Sequence, residues 1–504
     1  MPKYLMGIDN GATVSKAALF SLDGAELAVA AEKTEMLTPH PGHVERDMQA
    51  MWTATAAAVR KVLAQARIDA ADIACIAPTG HGNGLYLVDA QGGPVRNAII
   101  STDSRARAYV DKWLADGIDK KVRPRTMQSL WAAQPNALLA WLRDNEPQVM
   151  KQAAWVLMAK DYTRFRLTSR INAELTDFSG TSLMNLQTRD YDDDLLTDFG
   201  IADMRRLLPP IIRTADVAGE VTAAAAAETG LKAGTPVAGG MFDIDACGLA
   251  SGMVDESQLC MIAGTWGNNQ YVSKTPVVDE DVFMTSCYAI PEYYLMLEGS
   301  ATSAANLEWF VTHFFEADRR LAEQQSQSVF DVVNAAVAAT RPDESHIVFL
   351  PFLFGSNANP DAKSSLIGIN AWHNRGHVLR AIFEGVVFGH KAHVERLLRF
   401  RDMPAVVRLT GGAARSIEWV QIFADILQVP LEIPDGTELG ALGAAIAAGV
   451  ASGCFNGYNE AVEKMVHVSR RQEPNLKMKS VYEQKYASYQ KVIAALDPVW
   501  KTIS

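Results

Sequence analysis

The chain of 504 residues carries a formal net charge of −11, with 48% hydrophobic and 21% charged residues. That length exceeds what one hydrophobic core organises, so two or more domains are expected. The acidic balance excludes nucleic acid as a partner, because phosphate-backbone binding needs clustered Lys and Arg, and directs attention to a small-molecule substrate.

In chain order, residues 1–9 reach Asp9 before any apolar signal segment can form, which excludes an ordinary secretory leader. Residues 4–9, 16–20 and 26–32 read as consecutive strands, 48–67 as a helix with an apolar period, and 73–79 and 85–89 as strands again. An open mixed sheet flanked by helices follows from this order. The second half repeats the theme, with strands at 259–263, 270–273 and 294–297 and a helix over 303–315. Beyond them come a helix at 378–398, a strand at 406–410, and helices at 416–427 and 482–496. The stretch 439–450 is apolar but rich in Ala and Gly and too short to cross a bilayer. No membrane partner is expected. A domain junction is expected near residue 250, dividing the chain into 1–250 and 251–504. Five cysteines (Cys75, Cys247, Cys260, Cys287, Cys454) show no C-x-x-C spacing, so they indicate neither a zinc site nor a disulfide framework, and a reducing cytoplasm is the expected compartment.

Four segments carry chemistry. Gly7-Ile8-Asp9-Asn10-Gly11-Ala12-Thr13 and Ile262-Ala263-Gly264-Thr265-Trp266-Gly267 each end an apolar strand in a Gly/Thr hairpin, where backbone N–H groups and a hydroxyl suit phosphate oxygens. Two such hairpins suggest two domains sharing one nucleotide. In Val237-Ala238-Gly239-Gly240-Met241-Phe242-Asp243 a strand delivers a carboxylate to its carboxyl end, where open α/β sheets bind ligands. Asp243 there either orients an alcohol and takes its proton in phosphoryl transfer or caps a helix over 244–249; the two hairpins favour chemistry. Leu409-Thr410-Gly411-Gly412-Ala413-Ala414-Arg415-Ser416 runs from strand to helix through glycines, which admits a ligand to a helix N-terminus or serves close packing. No G-x-x-x-x-G-K-[ST] is present, so the phosphate-binding loop of the P-loop enzymes is excluded.

These segments, together with Lys160-Asp161-Tyr162-Thr163-Arg164-Phe165-Arg166-Leu167-Thr168, Thr176-Asp177-Phe178-Ser179, Gly368-Ile369 and His377-Val378-Leu379-Arg380-Ala381-Ile382-Phe383-Glu384-Gly385, resemble in order the FGGY family of carbohydrate kinases from residue 4 to about 455. The resemblance implies an α/β fold of two actin-like ATPase (ribonuclease H-like) domains with a cleft between them. The N-terminal domain would bind sugar and supply the base, the C-terminal one would bind nucleotide, and the two would close over ATP and sugar. It implies Asp243 as general base, Asp9 and Asp243 at Mg2+, and Gly11, Thr13 and Lys16 at the transferred phosphate. Gly264 and Thr265 would hold the nucleotide's phosphates, with Gly411, Gly412 and Ser416 along adenosine and Glu308 on the nucleotide side. Lys16 also reads as an ordinary strand-edge lysine and Glu308 as a solvated helix acid.

Substrate choice is expected within 79–105. Where glycerol kinases carry an Arg-Glu pair and a Trp, this chain has Asn83-Gly84 and Ser101. Where D-xylulose kinases carry Met-His and Trp-Asn-Asp, it has Gly82-Asn83 and Ser101-Thr102-Asp103. The runs Gly82 to Asp89, Ser101 to Arg105, Asn306 to Phe310 and Leu350 to Ala358 look most like the L-xylulose kinase branch. His81, Asn83 and Asp103 are the expected sugar ligands, with a surface-loop histidine and a turn acid as the rival readings of the first and last. Trp131 and Trp266 are read as packing. The expected activity is ATP-dependent phosphorylation of a primary hydroxyl of a pentulose, L-xylulose or D-xylulose. Erythritol or another ketose stands as an alternative, and an actin-like ATPase or a non-catalytic sugar sensor as alternatives of other classes. A homodimer is one expected assembly.

Overall fold

The computed structural model describes residues 3–502 apart from 354, 357, 358 and 360, so Phe354, Asn357 and Ala358 of the sugar-kinase-like run lie outside the described residues. The chain forms two compact units, each assembled from three separated segments. The first takes residues 1–255, 272–296 and 436–467; the second takes 256–271, 297–435 and 468–504. The first change of unit falls near the expected junction, and two later segments return to the first unit.

The first unit is built on a sheet whose strands run in the order Val217–Glu220, Pro236–Ala238, Ile73–Gly80, Tyr4–Asn10, Val14–Ser21, Glu26–Lys33. Tyr4–Asn10 and the next two strands form an antiparallel meander, and Ile73–Gly80 joins the first of them in parallel. Ile73–Gly80 is buried along its whole length, as a parallel strand covered on both faces must be, and its apolar run reflects that. The helix Met48–Ala66 starts at Asp47, whose carboxylate accepts the Ala50 N–H at 2.7 Å, and stops at Arg67 in the left-handed region. It buries Met51, Trp52, Val59 and Val62 at helical spacing, each contributing about 1.5–3 kcal/mol.

The helix Leu439–Ala451 seals the same sheet from the returning segment, and every residue from Gly440 to Gly449 is buried. Its approach depends on glycine. A methyl at Gly7 would overlap the Ala441 carbonyl, and one at Gly443 would overlap the Ala246 carbonyl.

The second unit repeats the plan. Cys260–Ala263 turns back antiparallel into Gly267–Ser273, and Val407–Thr410 pairs with Cys260–Ala263 in parallel. Leu431–Pro434 extends the sheet in parallel and Val468–Gln472 closes it antiparallel. Both glycine-threonine turns therefore join the first two strands of their sheet. The core of this unit gathers on the helix Arg375–Leu397, where Phe383 stacks on Trp419 of the helix Ile417–Leu427 at 4.3 Å between centroids. Among the described residues no helix is long and apolar enough to cross a membrane.

The expected elements over 4–9, 26–32, 48–67, 73–79 and 416–427 match observed ones to within a residue at each end. The helix expected at 378–398 begins three residues earlier, at Arg375, because Asn374 caps it through the Gly376 and His377 N–H groups.

Candidate active site

In the first unit, three neighbouring strand ends converge. Asp9 lies across from Thr79, and Thr79 across from Met241, so Asp9 and Asp243 leave the same edge of the sheet at its carboxyl end. Asp243 is the first residue of the helix Asp243–Ala250 and Phe242 holds the capping position, so Asp243 is not itself the N-cap residue.

The turn before Asp243 is fixed from every side. Gly240 has φ of 76°, and a methyl there would overlap the Pro78 carbonyl. Thr79 Oγ1 donates to the Met241 carbonyl at 2.8 Å, the Phe242 N–H donates to Thr176 Oγ1 at 3.0 Å, and Arg164 Nη1 donates to the Gly239 carbonyl at 2.6 Å. Arg164 is buried, and its charge is met by Asp161 at 2.8 Å. Lys160, also buried, lies 3.0 Å from Asp161, 3.1 Å from Asp177 and 3.5 Å from Glu174. Burial of these charges is tolerable only because they are paired, and the network orders the Asp243 turn as a result.

Burial raises several carboxyls in this region, those of Asp9, Asp177, Asp243 and Asp245. Burial, then the charges of Asp9 and Asp177, hold the Asp243 carboxyl well above the usual carboxylate range. Burial pushes Asp9 up to about 6, with Lys16 pulling it down and Glu438 pushing it further up. Asp177 is pushed to about 7 by burial against the opposing charge of Lys160, and apart from that ion pair its two oxygens have no hydrogen-bond partner. Among the described residues no three His, Cys, Asp or Glu side chains form a metal cage. Magnesium asks for less, taking one or two carboxylates with waters and phosphate oxygens. Two mutually repelling carboxylates at one strand edge fit that requirement.

The first hairpin directs its carbonyls into the unit. The carbonyls of Asn10, Gly11 and Thr13 accept from the His81 N–H at 3.1 Å, Arg46 Nη1 at 2.7 Å and the Thr34 N–H at 2.9 Å. These three carbonyls are thus engaged within the unit, and Thr13 stays exposed. Lys16, opposite Asp9 across the hairpin, is half-buried and pairs with Glu438 Oε2 at 2.7 Å. Burial works against its charge, but Glu438 and Asp9 outweigh it and raise its pKa. Motif reasoning misses Glu438, whose only mark in the sequence is its place just before the small-residue run 439–450.

In the loop after the strand Ile73–Gly80, His81 Nε2 meets Tyr86 Oη at 2.9 Å, and burial followed by the Arg46 charge lowers its pKa to about 4. It is therefore a buried neutral histidine, not a surface one. Asn83 sits at φ of 59° with its Oδ1 buried and unpartnered. Asn83 lies close to Gly180, where a methyl would stand 3.8 Å from Asn83 Nδ2. Asp103 behaves differently. Its carboxylate accepts the Val44 N–H at 2.6 Å, the Arg105 N–H at 2.8 Å and the Arg105 guanidinium at 2.9–3.0 Å, so it latches two loops together. Trp131 packs on Phe283, as expected of it.

In the second unit, the Gly264 and Thr265 carbonyls accept the Ala304 and Ser303 N–H groups at 2.9 and 3.2 Å, the same inward arrangement as in the first hairpin. Thr265 is exposed. Gly411, at φ of 89°, packs beneath this turn, where a methyl would come within 2.6 Å of the Ala263 carbonyl and 2.8 Å of Gly264 N. Gly411 is thus glycine for packing, whereas a methyl on Gly412 would meet nothing within 4 Å. Ser416 caps the helix Ile417–Leu427 through the Trp419 N–H and donates to Asn334 Oδ1 at 2.8 Å. Glu308 is exposed on the helix Ala305–Phe314. A groove of about 890 Å³ along Asp331, Ala335 and Asn374 is lined by none of these turn residues.

The duplicated strand-turn-strand plan is that of the actin-like ATPase fold. Comparison with known proteins gives the family. The N-terminal domain of the FGGY family of carbohydrate kinases matches residues 4–249 and its C-terminal domain 259–452, and the chain belongs to this family. It is 38% identical to the L-xylulose/3-keto-L-gulonate kinase of Escherichia coli over 98% of both chains, and 35% identical to a probable L-xylulose kinase of Pasteurella multocida over 98% of this chain and 99% of that one. The crystal structure of xylulose kinase from Rhodospirillum rubrum superposes with a TM-score of 0.86 at 26% identity, covering 99% of this chain and all of the other. The protein is a carbohydrate kinase, a phosphotransferase.

Proposed function

We propose that this enzyme transfers the terminal phosphate of ATP to a primary hydroxyl of a pentulose, with L-xylulose as the preferred substrate. Asp243 accepts the hydroxyl proton as the hydroxyl oxygen attacks the terminal phosphorus in line and ADP departs. Asp9 and Asp243 would hold a magnesium ion, which would supply positive charge against the charge of the phosphates. The Gly11–Thr13 turn with Lys16 serves the phosphate in transfer. Gly264 and Thr265 serve the phosphates left on ADP, and Gly412 and the Ser416 turn lie along adenosine. His81 and Asn83 hydrogen-bond the sugar, and Asp103 ties the Val44 loop to its own.

The observation that carries this reading concerns glycine. Gly11, Gly264 and Gly412 each have room for a methyl, with no protein atom nearer than 3.6 Å, and none has a left-handed φ. Neither packing nor backbone conformation requires glycine at these three positions, which supports a ligand approaching the backbone there. By contrast Gly7, Gly240, Gly411 and Gly443 are demanded by packing. The unpartnered Asn83 Oδ1 and the sparsely bonded Asp177 carboxylate support a substrate rich in hydroxyls, since buried polar atoms without hydrogen bonds are costly and a sugar would satisfy them. The relatives named as L-xylulose kinases support the choice of pentulose.

The test is a coupled ADP-release assay with magnesium-ATP over pentuloses, hexuloses, erythritol and glycerol. The highest kcat/KM is expected for L-xylulose. A preference for erythritol, or for a D-pentulose by about tenfold or more, would overturn the choice of sugar.

A further inference from the structure

Beneath the second hairpin lies a buried polar chain that no step above uses. His390, in the helix Arg375–Leu397, is 2% exposed and stands between Ser303 and Asn269. Its Nε2 lies 2.8 Å from Ser303 Oγ and its Nδ1 2.8 Å from Asn269 Oδ1. Asn269 and Ser303 are fully buried.

The donors and acceptors in this chain have one consistent assignment. Asn269 Nδ2 donates to the Glu298 carbonyl at 3.2 Å, and a carbonyl only accepts, so Asn269 Oδ1 is the end facing the imidazole. His390 Nδ1 therefore carries the proton and donates to Asn269. His390 Nε2 is left as an acceptor, and the Ser303 hydroxyl donates to it. Burial, with the neighbouring His393 charge, lowers the His390 pKa to about 3, so this tautomer persists throughout the neutral range.

The far end of the chain is the hairpin. Ser303 donates its own N–H to the Thr265 carbonyl, and the next residue donates to the Gly264 carbonyl. The imidazole also fits under the start of the return strand: a methyl on Gly267 would stand 3.2 Å from His390 Cε1 and Nε2 and from Ser303 Cβ. The ring is set edge-on against Phe423 at 5.4 Å, which fixes its tilt. The helix thus reaches through one imidazole and one serine to the two carbonyls that must face inward.

We propose that His390 is a positioning residue for nucleotide binding: through Ser303 it turns the Gly264 and Thr265 carbonyls inward and presents the outer side of the hairpin to the ATP phosphates. This rests on the nucleotide role given to that hairpin above. Removing the imidazole leaves Ser303 Oγ and Asn269 Oδ1 buried without partners and frees the 302–305 segment to move, so the effect should fall on ATP and not on the sugar.

The experiment measures KM for ATP and for L-xylulose, and Tm, in the full-length enzyme and in His390→Leu, His390→Gln, Ser303→Ala and Thr265→Ala. His390→Leu should raise the ATP KM about tenfold while the sugar KM stays within about twofold. His390→Gln, whose amide offers both donor and acceptor, should restore most of the ATP affinity. Ser303→Ala, which keeps its main-chain N–H, should move the ATP KM in the same direction by a smaller factor and gives the readout if His390→Leu fails to fold. An unchanged ATP KM in His390→Leu and Ser303→Ala, with a rise in Thr265→Ala, would overturn the positioning role alone. An unchanged ATP KM in Thr265→Ala would overturn the hairpin's nucleotide role as well.

Discussion

At the scale of single residues, Asp243 concentrates the chemistry. Its carboxyl is raised by burial and by Asp9 and Asp177, while a general base must be ionised to accept a proton. Asp243→Asn is expected to lower kcat by about 10²–10⁴ while leaving ATP affinity within about twofold, as read by ADP release and by nucleotide titration. The pH dependence follows in sign. A base with a raised pKa is lost as pH falls, so kcat should rise with pH on a limb above the ordinary carboxylate range. Lowering the magnesium concentration should move that limb to higher pH, because the cation favours the ionised form. His81 predicts the opposite behaviour: with its pKa lowered to about 4 it stays neutral, and the sugar KM should be flat from about pH 5.5 to 8. A step near pH 6.5 in the sugar KM, roughly the ordinary histidine value, would show that His81 titrates. The placement of Asp9 and Asp243 at strand ends was legible in the sequence because each follows an apolar run with glycine close by. The pairing of Lys16 with Glu438 was not, since 422 positions separate them and only the sheet and the returning helix bring them together.

At the scale of elements, the turns and the returning helix separate two uses of glycine. Gly11→Ala and Gly412→Ala are expected to leave Tm nearly unchanged and to raise the ATP KM, because the protein has room for the methyl and the ligand does not. Gly443→Ala should act in the other direction. The added methyl overlaps the Ala246 carbonyl and forces the Leu439–Ala451 helix off its seat, costing about 3 kcal/mol, visible as a large fall in Tm. A sequence pattern marks both kinds of glycine alike, and Gly411-Gly412 holds one of each. What separates them is the neighbour across the chain, Ala263 for Gly411 and open space for Gly412. The Lys160 network was hidden for a related reason. Its members at 160, 161, 164, 174 and 177 are spaced like ordinary helix and turn residues, and only their burial turns them into the brace of the Asp243 turn.

At the scale of the whole molecule, the first unit is not a continuous stretch of chain. Its sheet is covered by a helix from 436–467, whose inner residues are entirely buried against it. A fragment ending at residue 255 would expose that face of the sheet, so it is expected to show lost near-ultraviolet dichroism and rapid amide exchange in Ile73–Gly80. Coexpression with a fragment covering 436–467 should restore protection; a stable, protected 1–255 fragment would contradict this account of the core. The alternation of strands and helices was readable from periodicity, because strands such as Tyr4–Asn10, Ile73–Gly80, Cys260–Ala263 and Val407–Thr410 are short, largely apolar and bounded by Gly or Asp. The threading of two units by one chain was not, because Asp435 and Gly436 carry no local mark of a change of unit.

The central claim is transfer of phosphate to a sugar, and the most direct measurement is mass spectrometry of the sugar after incubation with magnesium-ATP, with ADP quantified in the same sample. L-xylulose should gain the mass of one phosphate in one-to-one proportion with ADP, and Asp243→Asn should abolish both signals together. ADP formed in the presence of pentuloses without any phosphorylated sugar, or equal product from Asp243→Asn, would contradict the account.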